Sequence, residues 1–381
     1  MRKHNTIIIG AGASGCMTAI TTKNKDVAII DSSHQVAKKL LVTGNGKCNL
    51  TNENTDSSKY NINIDSYLQR HTVKDTISLF DDLGLVTYAD DMGRVYPLSN
   101  SAKSVVDILD RAVRKNAIVY TDTTVKNITK SPDGFVIETD NNTFSCSKLV
   151  LATGGNTMID ILSSLGLATT SLSPSLVAIR TNSTKNLNNI RLSNVKVTAI
   201  CDNETMVDKG EVLFKDSGLS GIVSFNLSTL FARRHCFKGA ISIDLVPNIS
   251  IKDLENILEK RKELSLPINK YFVGMFQNQV ADEILRQAKL NTNTLSTSLN
   301  KSQISTLAHT IKNLTFEVDG CYDNNQVYSG GVPLSTLTEN LESRDIKDLY
   351  IVGELCDVDG ECGGYNLQWA WTSGHIVGER L

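Results

Sequence analysis

The chain has 381 residues, 40% of them hydrophobic, and a formal net charge of −2 at pH 7. That length gives room for two or three domains with their own cores, while the near balance of charge excludes a dedicated polyanion binder, which needs surplus Lys and Arg. Only six prolines and no low-complexity tract leave no basis for long disordered linkers. With neither a signal-type apolar segment nor a ~20-residue apolar span, the expectation is a cytoplasmic protein without a membrane partner.

Thr6-Ile7-Ile8-Ile9 is a β-branched apolar run, and Gly10-Ala11-Gly12-Ala13-Ser14-Gly15 follows it directly. Cys16-Met17-Thr18-Ala19-Ile20 then supplies small and apolar residues that start a helix. The pattern is strand, glycine turn, helix, with the GxGxxG spacing of a dinucleotide-binding loop. One glycine permits the sharp turn, one lets backbone approach a pyrophosphate, and one lets helix and strand pack closely. The helix N-terminus offers free N–H groups and a positive dipole end to phosphate. Asp26-Val27-Ala28-Ile29-Ile30 reads as a second buried parallel strand. Asp31 ends it, 21 positions after Gly10, the spacing of an acid that binds an adenosine ribose. NAD and FAD both fit this pattern.

The next stretch, 37–52, is dense in glycine, amides, hydroxyls and lysine. It is no P-loop: Leu41 stands where that motif needs glycine, and Cys48 where it needs Ser or Thr. Its residue types suit a polar loop wrapped on an anionic cofactor. Val73, Ile77, Phe80 and Leu83 in 66–83 have helical spacing, 85–97 reads as strand and turn, and Ser101 begins a second helix. Ala117–Tyr120, Thr123–Ile128, Phe135–Thr139 and Thr143–Cys146 read as a β-meander of short strands, separated by turns such as Ser131-Pro132-Asp133-Gly134. Lys148–Ala152 is a further strand running into Thr153-Gly154-Gly155. A small antiparallel sheet interrupting the parallel order, followed by an Ala-Thr-Gly turn, points to FAD over NAD, with Val125 passing the adenine.

Residues 176–248 alternate like strands, and 251–312 read as helical, with Pro267 breaking the run. The tail returns to the first domain. Asp348–Glu354 is a strand ending in Gly353-Glu354, placed to set its carboxylate on ribityl hydroxyls. After a tight loop, Tyr365–Gly378 is helical, and its N-terminus can stabilise negative charge on a flavin ring. Gly374 and Gly378 share one face of this helix, where they permit close packing. The eight cysteines are scattered without CxxC or zinc spacing and read as reduced thiols, with Cys356 and Cys362 as the alternative redox pair. Asp357, Asp359 and Glu361 lack the ligand order of a calcium loop, and no metal is expected.

Three segments together resemble the YhiN/BaiN-like family of FAD-dependent oxidoreductases, also called the aminoacetone oxidase family. They are Lys39–Asn52, Gly93-Arg94-Val95-Tyr96-Pro97-Leu98-Ser99, and Gly353-Glu354 through Trp371. The resemblance implies an α/β fold: a Rossmann-like FAD-binding domain built from both chain ends, with an inserted β-rich domain carrying a helical subdomain. The bounds are 1–171 and 330–381 for the FAD domain, 172–249 and 313–329 for the β domain, and 250–312 for the helices. The chain departs from the family pattern at Ala37, where glycine is usual, at Lys47, where arginine is common, at Ile222, where proline is usual, and in a shorter stretch after Gly155.

Residues assigned to cofactor binding are Gly10, Gly12, Ala13, Ser14, Gly15, Asp31, Lys39, Gly44, Gly46, Asn49, Val125, Thr153, Gly154, Gly353, Glu354, Asn366 and Leu367. The expected function is hydride transfer between a small organic substrate and flavin N5. The flavin is reoxidised by O2 or by a transiently bound nicotinamide, with NAD(P)H a transient co-substrate rather than the occupant of its own domain, since no second GxGxxG is present. Amines or alicyclic ring systems are substrates that the resemblance implies. The alternatives are a flavin-dependent RNA-modifying enzyme and a non-catalytic flavin-binding protein. Nucleic acid is not expected as a partner, because the densest basic run in the helical segment, Lys260-Arg261-Lys262, is flanked by Glu259 and Glu263. Cys48, Tyr96 and Tyr365 are candidates to lie near the ring, and no catalytic residue is assigned.

Overall fold

The computed structural model describes residues 1–155, 158–182, 184–236, 238–291, 293–323 and 327–381. The chain divides into two compact units, Met1–Ser173 with Gln326–Leu381, and Pro174–Asn325. In the first unit, β1 (Arg2–Ile9) leads through the glycine turn into α1 (Ala13–Thr21) and then β2 (Val27–Ile30). β2 and the last four residues of β1 are fully buried, the signature of parallel strands covered on both faces. Helix α2 (Val73–Asp82) starts at a capping box, in which Thr72 and Asp75 satisfy each other's backbone N–H groups. Helix α3 (Ala102–Asn116) buries Val105, Val106, Leu109, Ala112 and Val113 along one face. The strands β3 (Ile118–Tyr120), β4 (Val125–Ser131), β5 (Gly134–Thr139) and β6 (Thr143–Leu151) follow.

The structure departs from the sequence reading at these strands. β3 is not part of a meander; it pairs in parallel with β2 and continues the main sheet. Thr143–Cys146 and Lys148–Ala152 are not two strands but one, β6. Its first half pairs antiparallel with β5, and its length pairs in parallel with β1. The burial pattern explains the merger: β6 alternates near its start, then becomes buried at three consecutive positions as it enters the sheet. The antiparallel hairpin therefore extends the parallel sheet rather than interrupting it. The 66–83 stretch also breaks, into a single turn at Asp65–Leu68 and α2.

The second unit contains β7 (Ile179–Thr181), β8 (Arg191–Cys201), β9 (Glu204–Lys215), β10 (Gly218–Ser220), α4 (Ile222–Arg234), β11 (Gly239–Asp244), α5 (Ile251–Arg261), α6 (Asn278–Gln287), α7 (Lys301–Lys312) and β12 (Leu314–Cys321). Its six strands close into a barrel in the order β7-β10-β9-β8-β11-β12. Closure leaves no open sheet edge. The strand-rich reading of 176–248 missed α4, whose Val223, Leu227 and Phe231 recur at i, i+4 and are buried. Helices α5 to α7 share one apolar core with the barrel, through Leu254, Leu258, Ile284 and Leu307 against Phe214 and Phe316. The expectation of separate reduced thiols fails at one place. Cys201 and Cys236 are joined as a disulfide, their Cα atoms 6.3 Å apart, a pairing that a sequence separation of 35 hides from spacing rules.

The chain returns to the first unit with β13 (Leu349–Ile351), which pairs in parallel with the second half of β6, and α8 (Tyr365–Arg380). Trp371 of α8 is wholly buried, with its indole N–H on Leu50 O at 2.8 Å and its ring 5.2 Å from Phe80, edge to face. Among the described residues no helix is long and apolar enough to cross a membrane. The shortened stretch after Gly155 begins at residues 156 and 157, which lie outside the described residues.

His71 stacks on His375 of α8, with ring centroids 4.1 Å apart. Burial, reinforced by the neighbouring His375, lowers the His71 imidazole to about 4. Burial also lowers His375, against opposing pulls from Glu379 and Asp75. An unfolded histidine titrates near 6.5. Between these values the unfolded chain binds a proton that the folded chain rejects, so stability falls on acidification through this window. The expected slope is up to about 1.4 kcal/mol per pH unit for one proton. Urea unfolding of wild type and His71→Gln over that range should show a flatter pH dependence in the variant; equal slopes would assign the acid sensitivity elsewhere.

Candidate functional site

The site is a cavity of about 390 Å³ in the first unit, at the C-terminal ends of β1, β2 and β6. Ligands of open parallel sheets bind at such strand ends. The glycine turn supplies one wall. Gly10 has φ 105°, and its N–H donates to Ile30 O at 2.8 Å. A Cβ on Gly15 would overlap Gly10 O, so Gly15 allows α1 to sit directly on the turn. Gly12 differs from both: nothing lies closer than 4.0 Å to a Cβ built there. A side chain at Gly12 would enter the cavity without disturbing the loop.

Asp31 stands at the end of β2. One carboxylate oxygen accepts the Ala11 N–H at 2.6 Å and the other the Ser33 N–H at 2.6 Å. This fixes the carboxylate while leaving lone pairs free toward the cavity. Thr124 and Val125 line the same cavity. Thr153, Gly154, Lys39 and Glu354 also line it. Lys39 Nζ lies 3.0 Å from Glu354 Oε2, and Glu354 Oε1 accepts the Tyr328 N–H at 2.8 Å. With the lysine more than half exposed, this ion pair orients the two groups more than it stabilises the fold, at no more than about 1 kcal/mol. Asn366 and Leu367 bring in the first turn of α8. The Asn366 amide is bonded both ways to Gly360, at 2.9 and 2.8 Å, and so fixes the loop before α8.

Helices α1 and α8 both begin at a glycine, without a side-chain cap and without an acid in the first turn. Each leaves unpaired N–H groups and the positive dipole end at its start. Residues from the first turn of each helix line the cavity. Such an arrangement attracts anionic groups without a cluster of cationic side chains.

Twelve of the seventeen residues assigned from sequence line this cavity: Gly10, Gly12, Ala13, Ser14, Asp31, Lys39, Val125, Thr153, Gly154, Glu354, Asn366 and Leu367. Gly15, Gly44, Gly46, Asn49 and Gly353 do not. Gly353 packs against α1, where a Cβ would lie 2.5 Å from Ser14 Oγ. Gly44 and Gly46 carry positive φ in the kinked 3-10 segment Lys38–Gly46, and Asn49 is half-buried beyond it. Lys38 of the polar loop also lines the cavity, and the sequence reading missed Ser32, Ser33 and Gln35, which line it too. Their signal was position alone, immediately after an acid that ends a parallel strand.

Cys48, Tyr96 and Tyr365 do not line the cavity either. Burial pushes the Cys48 thiol up to about 12, which leaves it protonated at neutral pH. Cys356 is fully buried with its thiol pushed far up, and neither it nor Cys362 is in a disulfide. Ala37 has φ 55°, with its N–H donating to Ala11 O at 2.7 Å.

Fold and cavity together define a Rossmann-type nucleotide-binding protein. The chain belongs to the HI0933-like family, whose Rossmann-domain model matches residues 4–380. It is 31% identical over 405 residues to the 3-dehydro-bile acid delta(4,6)-reductase of Clostridium scindens, covering 97% of each chain. It is 28% identical over 413 residues to the ribosomal RNA dihydrouridine synthase of Escherichia coli K12, covering 100% of this chain and 98% of the relative. Among solved structures, a 3-ketosteroid delta1-dehydrogenase from Sterolibacterium denitrificans superposes with a TM-score of 0.51 over 99% of both chains. At 10% identity that likeness speaks for the fold alone. The protein is an enzyme of the flavin-type oxidoreductase class.

The glycines predict opposite outcomes. Gly15→Ala should destabilise the fold by about 3 kcal/mol or more, because its methyl meets backbone that cannot yield. Gly12→Leu should unfold within about 1 kcal/mol of wild type, since its side chain projects into open space. Urea unfolding checks both, and equal losses would contradict the two geometries. Ala37→Gly should gain about 0.5–1 kcal/mol by removing left-handed strain; a loss in the same assay would show that the alanine methyl packs favourably.

Proposed function

We propose that the protein binds FAD in this cavity and transfers a hydride between a small organic substrate and the flavin. The observation that carries the reading is the pair of uncapped helix N-termini lining one cavity, with Asp31 held at the end of β2. The residues present fit the cofactor. The open face at Gly12 and the start of α1 suit a pyrophosphate. Asp31 keeps acceptor capacity for ribose hydroxyls, and Val125 offers an apolar surface to adenine. In this reading Lys39, Thr153, Gly154, Glu354, Asn366 and Leu367 hold the ribityl and ring end. Gly15 and Gly353 act by packing, and Gly44, Gly46 and Asn49 shape the loop beside it. Bound flavin supplies the two-electron chemistry; the chain supplies position and electrostatics. The N-terminus of α8 favours negative charge near it, and the Lys39–Glu354 pair fixes two charged side chains at the cavity.

Two relatives narrow the reaction class. Read as chemistry, reduction of a 3-dehydro-bile acid at its delta(4,6) positions and formation of dihydrouridine both add hydrogen to a C=C conjugated to a carbonyl. We take such an activated alkene as the substrate class, with a cyclic enone first because the 31% relative acts on a bile acid. RNA is the second reading, favoured by the 28% relative. The Lys260-Arg261-Lys262 run does not speak for it. Arg261 donates to Tyr271 O and Val273 O, and Lys262 pairs with Glu259 at 2.8 Å.

Apo-protein titrated with FAD should quench flavin fluorescence to a one-to-one end point, and Gly12→Leu should abolish the quenching. Protein that leaves added FAD unbound overturns the reading. Without oxygen, NADH or NADPH should bleach the bound flavin, and a cyclic enone should restore its colour. Restoration by a uridine-containing transcript and not by enones would favour RNA; restoration by O2 alone would make the enzyme an oxidase.

A further inference from the structure

We propose that Cys201 and Cys236 form a reversible thiol–disulfide couple in the second unit, a modification site that exchanges with small-molecule disulfides. Cys201 is the last residue of β8, and Cys236 follows directly after the residue that caps α4. Their Cα separation of 6.3 Å is within the span a disulfide bridges. The other six cysteines are in no disulfide. Burial raises the thiols of Cys48 and Cys146 to about 12 and of Cys321 to about 11, and those of Cys16 and Cys356 further. These thiols keep their protons at neutral pH and are poor nucleophiles. Within the described residues, Cys201 and Cys236 are thus the pair set apart, in a chain that is otherwise not cross-linked. A single pair among reduced thiols is the pattern of redox sensing rather than of a disulfide-stapled scaffold.

The surroundings suit exchange. Arg233, Arg234, His235 and Lys238 flank Cys236 in sequence, and cationic neighbours favour a thiolate. Cys236 retains 8% of its surface and Cys201 1%, so Cys236 meets a reagent first and Cys201 resolves. Arg234 Nε lies 2.7 Å from Glu204 Oε2, at the first residue of β9. This ion pair is a second link, besides the sulfurs, between the end of α4 and the start of β9. In the oxidising direction, the Cys236 thiolate attacks one sulfur of oxidised glutathione and one glutathione thiolate leaves. The Cys201 thiolate then attacks Cys236 Sγ in the mixed disulfide, and the second glutathione leaves. The protein gives up two electrons and two thiol protons, and two reduced glutathiones receive them. Reduction by dithiothreitol or glutathione runs the same steps backward.

Asp202 places a carboxylate oxygen within 4.8 Å of both sulfurs, so the reduced trio also has the make-up of a soft-cation site. The experiment separates the two. Full-length protein is equilibrated in glutathione buffers of graded ratio, quenched in acid, alkylated after denaturation and mapped by mass spectrometry. The expected result is alkylation of all eight cysteines in reducing buffer and of six in oxidising buffer, with Cys201 and Cys236 protected. The same midpoint should be reached from either direction. Oxidation should raise the thermal midpoint by on the order of 5–15 °C, because the closed loop restricts the unfolded chain. Cys236→Ser should remove that difference; if this variant does not fold, Cys201→Ala serves in its place, and the wild-type mapping stands without either. Three results overturn the proposal. Cys201 and Cys236 stay alkylated at every ratio, or the bond resists excess dithiothreitol in the folded protein, or protection follows added zinc and disappears with a chelator.

Discussion

Helices α1 and α8 approach until backbone meets backbone, and the candidate site depends on that approach. A Cβ on Gly374 would overlap Ser14 O, and one on Gly378 would overlap Thr21 Oγ1 and lie 2.8 Å from Thr18 O. The Thr18 hydroxyl faces the oxygens of both helices, Ser14 O at 2.9 Å and Gly374 O at 3.1 Å. Trp369 donates to Gly353 O at 2.9 Å, and Ser373 Oγ accepts the Gly353 N–H at 2.9 Å. Each glycine costs about 1 kcal/mol of helix propensity relative to alanine. In return, two helices far apart in sequence reach a spacing that brings the first turn of each to the same cavity.

This design explains what composition could not reveal. In the proposed reading, the cavity receives negative charge on backbone N–H groups at helix starts rather than on surplus lysine and arginine. A net charge of −2 is therefore silent about the site. Of the four charged side chains at the cavity, three are already engaged: Asp31 by two backbone N–H groups, Lys39 and Glu354 by each other; Lys38 is the fourth. Specificity of this kind resides in geometry, which is why the glycines are its visible trace in sequence.

Most of the fold was legible because each signal was local. The Gly10–Gly15 turn, the acid after β2 and the apolar run of β13 declare themselves by spacing or by unbroken burial. What escaped needed partners. β3 has the residues of any short strand, and only β2 beside it assigns it to the parallel sheet. Ser147 fell in the gap between two strand readings, yet β6 passes through it because β1 supplies hydrogen bonds along most of its length. The disulfide escaped for the same reason. At the site, the polar loop after β2 was singled out by its residue types, but only Lys39 of its four assigned residues lines the cavity. Residue type gave the loop's chemistry; the fold of the loop decided which side chains face inward.

The way β6 is shared has a consequence for how the molecule comes into being. Its neighbour β13 and the helix α8 lie at residues 349–380, so the cavity lacks one wall until those residues have been made. The barrel unit, by contrast, has all its strands once residue 321 has emerged. Synthesis runs from the N-terminus, and units fold as they are completed. The order of assembly is thus the reverse of the order in which the units begin. The first unit to start is the last to have all its elements, because α1 meets its partner α8 only at the end of that order.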